Sequence, residues 1–199
     1  IPEIYETSKQ YILPMKLKNK NSDISLEEIL TFGTLPGILS EDLDLKEKLL
    51  KSYSSTYLQE EIRQEAITRN IGNFAKFLEL AAFESGNVLN LTNISQDSGI
   101  PITTVKNYFQ VLEDTLITFS LPAFISRNSR RQVLSTPKYL FFDVGIKNII
   151  MGNSLNPKNI KGDLAGKLFE HFIVTELIKR IKYSYPHYKY FFWRTNHGL

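Results

Sequence analysis

Cysteine is absent from the 199 residues. That excludes a disulfide scaffold, a thiolate zinc site and a cysteine nucleophile, and it fits a reducing cytoplasm. No apolar run approaches the roughly 18 residues that cross a bilayer, so no membrane partner is expected. The phosphate-loop pattern GxxxxGK[ST] is also missing. The glycine-containing stretch FGTLPGIL (Phe32 to Leu39) has neither the lysine nor the strand-to-helix setting of a phosphate cradle. There is no zincin HExxH, and His171, His187 and His197 show no metal-ligand spacing. A strong excess of either charge is lacking too. The 24 basic and 21 acidic residues leave a formal net charge of +3, which is weak evidence for a nucleic-acid partner. What is present is an ordinary globular balance, 42% hydrophobic and 23% charged. The length suits one large domain or two to three small ones.

The first stretch reads as helical. Asp23 or Ser25 can cap a short helix through Ile29, with Glu27 and Glu28 in its favourable first turn. FGTLPGIL ends it. From Asp42 to about Arg63, Leu45, Leu49, Tyr53, Tyr57 and Ile62 recur at roughly helical spacing. A further helix is predicted from about Asn73 to Glu84, with Phe74, Phe77, Leu78, Ala81 and Ala82 on one face.

The stretch ISQDSGIPITTVKNYFQVLEDTLI (Ile94 to Ile117) reads as helix, glycine turn, helix. Asn93 or Thr92 can cap the first helix, with Gln96 placed to close a capping box. Gly99 makes the turn, and Pro101 suits the start of the second helix. In that helix Val105, Phe109, Leu112 and Leu116 face inward at spacings of three to four. LITFSLPAFI (Leu116 to Ile125) and KYLFFDVG (Lys138 to Gly145) are rich in β formers. They flank the polar, basic SRNSRRQVLSTP. Helix, turn, helix, strand, basic loop, strand is the order of a winged helix.

Such an element can lay its second helix in a major groove. Thr103, Thr104, Lys106 and Asn107 would then meet phosphates or base edges, and Arg127, Arg130 and Arg131 on the wing would neutralise phosphates. The competing reading has these side chains merely solvated. Asp97, Glu113 and Asp114 count against tight phosphate contact.

Asp143 ends a strand and can cap the helix that follows. After a loop from Met151 to Asp163, LAGKLFEHFIVTELIKRIKYS reads as an amphipathic helix. Its predicted apolar stripe is Leu168, Phe172 (or Phe169), Ile173, Leu177 and Ile181. Glu170 and Glu176 fall on different faces and are not a paired acid/base site. YKYFFWRT (Tyr188 to Thr195) reads as a strand, and Asn196-His197-Gly198 as a turn into a returning strand. On that ground the chain reads as a piece of a longer protein.

FGTLPGIL, YLQEEIRQEAITRNIGNFAKFLELAA, SGIPITTVKNYFQVLEDTLI, PKYLFFDVGI and GKLFEHFIVTELI followed by YFFWRT occur here in one order. Together they resemble the C-terminal part of the prokaryotic AAA-type ATPases that carry a C-terminal domain of unknown function. The resemblance spans nearly the whole chain. It implies an α+β, mostly helical fold in three regions. These are a helical AAA-lid-like region (1–86), a winged helix-turn-helix (87–142) and a truncated restriction-endonuclease-like α/β region (143–199). It further implies an ATP- and Mg²⁺-binding core before Ile1, with no cofactor held by this piece. Glu170 in GKLFEHF matches the first glutamate of a nuclease-like site. The aspartate and lysine of that site would lie beyond Leu199, leaving no complete catalytic site. The partners this implies are duplex DNA, the ATPase core or a second copy of the chain, in the cytoplasm. The alternatives are part of a Mg²⁺-dependent nuclease, or a module for protein interaction alone.

Overall fold

Ser25 opens the first helix: its hydroxyl accepts from the Glu28 N–H at 3.2 Å, with Glu27 and Glu28 in the first turn. In the computed structural model, which describes residues 24–57, 71–124, 136–153 and 155–193, this is helix α1 (Leu26–Phe32). Gly33, at φ +77°, ends it. Helix α2 (Pro36–Leu39) is a single turn begun by proline. Helix α3 (Leu43–Ser52) closes in a π-type turn at Tyr53–Tyr57. The rest of the helix expected to reach Arg63 lies outside the described residues. Its inward register also differs from expectation. Leu45 is exposed, while Leu50 and Lys46 are buried. Lys46 faces inward because its ammonium pairs with Glu28 of α1, a partner that spacing along α3 alone does not reveal.

Helices α4 (Ile71–Phe83), α5 (Leu91–Ser98) and α6 (Ile102–Asp114) follow, and α4 packs on α6 through aromatic rings. Phe77 of α4 meets Tyr108 and Phe109 of α6 at centroid distances of 5.2 and 5.0 Å, and Phe74 meets Tyr108 at 5.0 Å. These edge-on and tilted contacts are the ones ring quadrupoles favour. Asn90, not Asn93 or Thr92, caps α5, and its side chain accepts from the Asn93 N–H at 3.1 Å. The helix begins earlier than the capping-box pattern suggested, which takes Thr92 and Asn93 into its first turn. Gly99 adopts the left-handed conformation and donates its N–H to Ser95. The Pro101 carbonyl then accepts from Thr104 and Val105 to start α6.

Leu116, expected to face inward, is exposed. It takes φ +60° in the turn after α6, and Ile117 is buried in its place. Strand β1 (Thr118–Leu121) pairs antiparallel with β2 (Lys138–Phe141), in a register from Thr118↔Phe141 to Leu121↔Lys138. Both strands are shorter than their β-rich stretches. The aromatic segment near the C-terminus is not a strand among the described residues. Phe192 forms one isolated bridge to Ala123, donating to the Pro122 carbonyl and accepting from the Phe124 N–H.

Helix α7 (Val144–Ile150) follows β2, and the long helix α8 (Gly162–Ser184) crosses the molecule. One apolar cluster draws on residues from Phe32 to Leu155. Two smaller clusters seat α8. Leu168 joins Leu30 and Val144, and Ile178 joins Phe119, Leu121 and Leu140. The architecture is α+β, mostly helical, with a two-stranded antiparallel sheet among the described residues. No helix among them is long and apolar enough to cross a membrane.

Candidate functional site

Helix α6 divides cleanly into two faces. Val105, Tyr108, Phe109, Val111 and Leu112 are buried. Thr103, Lys106, Asn107 and Gln110, at spacings of three to four, lie together on the exposed side, and Thr104 is half-buried. Gln110 donates from Nε2 to Asp114 at 2.9 Å, so the acid at the end of the helix is tied to its own side chain's neighbour. Lys76 of α4 closes the C-terminal end of α5 by donating to the Ser98 carbonyl at 2.8 Å. Arg127, Arg130 and Arg131 lie outside the described residues.

A second polar site lies where the turn after α4 meets β2, α7 and α8. The Ser85 hydroxyl accepts from the Phe141 N–H at 3.0 Å and stands 3.5 Å from His171 Nδ1. His171 Nε2 is 2.9 Å from the Phe141 carbonyl. That nitrogen must therefore carry the proton and donate, leaving Nδ1 bare toward Ser85. Burial, with the nearby Lys147 charge second, holds His171 down to about 3. The imidazole is thus neutral and serves as a structural linker, too weak a base for proton abstraction near neutral pH. Lys147 of α7 donates to the Ser85 carbonyl at 3.2 Å. Its pKa falls to about 8, chiefly through burial and then through the Lys167 charge, against an opposing pull from Glu170. These groups line a cavity of about 270 Å³.

Glu170 stands exposed at the rim of this cavity, 3.5 Å from the Lys138 ammonium. Glu176 is on another face of α8, paired with Lys179 at 2.7 Å and 3.4 Å from the Thr34 hydroxyl. His187 is exposed, and His197 lies outside the described residues. Among the described residues, no three or more His, Asp or Glu side chains are placed to hold a metal ion together.

Asp143 caps α7 as its position after a strand suggested, accepting from the Gly145 and Ile146 N–H groups at 2.8 and 3.2 Å. It also accepts from the Thr34 N–H at 2.8 Å, so one carboxylate ties FGTLPGIL to α7. Burial raises its pKa, and these hydrogen bonds pull the other way. Gly33 is needed here for two reasons. Its φ is positive, and a Cβ would fall 2.0 Å from the Asp143 carboxylate.

The α6 residues were readable from helical spacing. Ser85 reads from the sequence only as part of the Ser85-Gly86-Asn87 stop of α4, and Lys147 falls in no site motif. The available signal was the pair Lys147–Asn148 inside the apolar run VGIKNII. A lysine and an asparagine in a buried helix need partners, and Asn148 finds the Leu30 and Thr31 carbonyls at 2.9 and 3.0 Å.

Comparison with curated proteins and with solved structures gives no match. A family model described as Domain of unknown function (DUF8612) matches residues 23–157, more than half of the chain. That span takes in α1 to α7 and both strands and stops before α8. The chain therefore belongs to the DUF8612 family.

Proposed function

We propose that this chain is a DNA-binding module of a larger AAA-type ATP-binding protein, and that it acts through a winged helix built from α5, α6, β1 and β2. The observation that carries the reading is the division of α6. Its apolar face is buried, against Phe74 and Phe77 of α4 and Tyr139 of β2 among others, which leaves Thr103, Lys106, Asn107 and Gln110 together on one exposed polar face. A major groove admits a helix of this kind. Asn107 suits a bidentate contact to adenine and Lys106 a phosphate, with Arg127, Arg130 and Arg131 adding charge between the two strands. ATP and Mg²⁺ would be held by the AAA core that the sequence resemblance implies, and the present piece would carry no complete catalytic site. The test is duplex-DNA binding by fluorescence anisotropy across a salt series. Binding should weaken with salt, and replacing Arg127, Arg130 and Arg131 by alanine should flatten the log–log slope by up to about 3. An unchanged slope removes the wing from the interface.

A second reading, a docking module for protein partners, is favoured by one specific observation. Phe169, Ile173 and Leu177 line one side of α8 and are exposed. In that case duplex DNA would give no shift at physiological salt, and light scattering would show an oligomer or complex. A restriction-endonuclease-like role for the last region would need the full-length protein to nick DNA with Mg²⁺ and to lose that activity on Glu170→Gln.

A further inference from the structure

The cavity beneath α8 holds a cation whose hydrogen-bonding capacity is mostly unused. Lys147 is 6% exposed. Its ammonium carries three donors, and the Ser85 carbonyl accepts from one of them at 3.2 Å. Among the described residues no carboxylate stands within ion-pairing distance of it. Lys147 lines the cavity, and among the described residues its other two N–H groups have no acceptor, whereas buried donors are rarely left so. Lys167 of α8 brings a second positive charge to the same cavity, and Asn153 supplies a neutral amide. Asn87 also lines it, but its amide already donates to Glu84 at 3.2 Å. The acid at the rim, Glu170, is shared with Lys138 3.5 Å away and offsets only part of the field of the two lysines, and His171 is neutral. A volume of about 270 Å³ lies just under the range of drug-sized pockets, and it suits a compact ligand.

From the two lysines, the open donors and the small volume, we infer that this cavity is a binding site for a compact oxyanion of the phosphate class. The ligand accepts from the two open N–H groups of Lys147, while Lys167 closes over its outer side. This site is independent of α6 and of any DNA contact made there.

The test is titration of the whole chain with inorganic phosphate by calorimetry, with acetate in a parallel arm and at constant ionic strength. Saturable one-to-one phosphate binding, with Kd of about 1 mM or tighter, is expected, and acetate should bind more weakly. Lys147→Met should raise Kd at least about tenfold, the least that losing a charge-assisted hydrogen bond costs. Lys167→Met, on the exposed side and safe for the fold, should weaken binding several-fold. Lys51→Met on the far exposed face of α3 should change nothing, because its charge is spent on Glu47. The proposal is overturned by absent or non-saturating phosphate binding. It is equally overturned by a Kd that Lys147→Met and Lys167→Met leave unchanged, or that Lys51→Met raises as much. Acetate binding as tightly as phosphate would overturn the assignment to the phosphate class.

Discussion

Helices α6 and α8 differ in what they bury: α6 an apolar face, α8 a mixed one. On α6 the inner side is Val105, Tyr108, Phe109, Val111 and Leu112, and the outer side is threonine, lysine, asparagine and glutamine. On α8 the buried residues are Leu168, His171, Thr175 and Ile178, whereas Phe169, Ile173 and Leu177 stay exposed. The α6 pattern is that of a helix seated on an apolar core. The α8 pattern is that of a helix held partly by hydrogen bonds, with His171 on Phe141 and Thr175 turned back on its own helix. Apolar periodicity locates the buried side only where burial is driven by apolar surface. Where a neighbouring strand end offers a carbonyl, a histidine can take the inner place.

The comparison predicts a graded response to mutation. The largest effect should come from the aromatic seat of α6. Phe77 is fully buried between Tyr108 and Phe109, so Phe77→Ala should cost about 3–5 kcal/mol in denaturant unfolding. A loss below about 1 kcal/mol would show that this seat is not closely packed.

Next comes the polar seat of α8. His171 is held near 3 when folded, below its ordinary unfolded value of about 6.5. The unfolded chain therefore binds a proton first as pH falls. The stability His171 protects is fully present above about 6.5 and is lost toward about 3, at up to about 1.4 kcal/mol per pH unit. Asp143, whose pKa is raised, contributes in the opposite direction, so the difference from a variant is the useful quantity. His171→Gln, able to keep a donor to Phe141, should show a flatter acid limb than the wild type. Parallel limbs would mean that His171 is not buried neutral.

The smallest effect should be on the outer side of α8. Ile173→Gln and Leu177→Gln should each cost less than about 1 kcal/mol, because 38% of Ile173 and 53% of Leu177 are already open to solvent. A loss of 2 kcal/mol or more would mean that this face is packed in solution, and light scattering on the same variants would tell self-association from intramolecular cover.

The sequence made the helical parts of the fold readable wherever apolar spacing and local chemistry agreed. Gly99 marked the turn before α6, Val105, Phe109 and Leu112 marked its inner face, and Asp143 marked the start of α7. It misled where a distant partner decided the outcome. Lys46 turned inward for Glu28. For His171 the sequence left a solvated and a core position open, and the Phe141 carbonyl draws it into the core. The strand expected at YKYFFWRT failed for a similar reason. β propensity reports how well a residue fits a sheet surface, and among the described residues of this segment only Phe192 makes a ladder contact, to Ala123. Of the candidate sites, the exposed face of α6 could be read from its spacing, while the Ser85–Lys147 centre could not. Its members come from three elements and meet only through the fold.

The most direct measurement is an NMR titration of the isotopically labelled chain with duplex DNA at physiological salt. The account predicts that the largest backbone shifts cluster at Thr103, Lys106, Asn107 and Gln110, with α8 little changed. Shifts centred on Phe169, Ile173 and Leu177, or no shifts at saturating DNA, would contradict it.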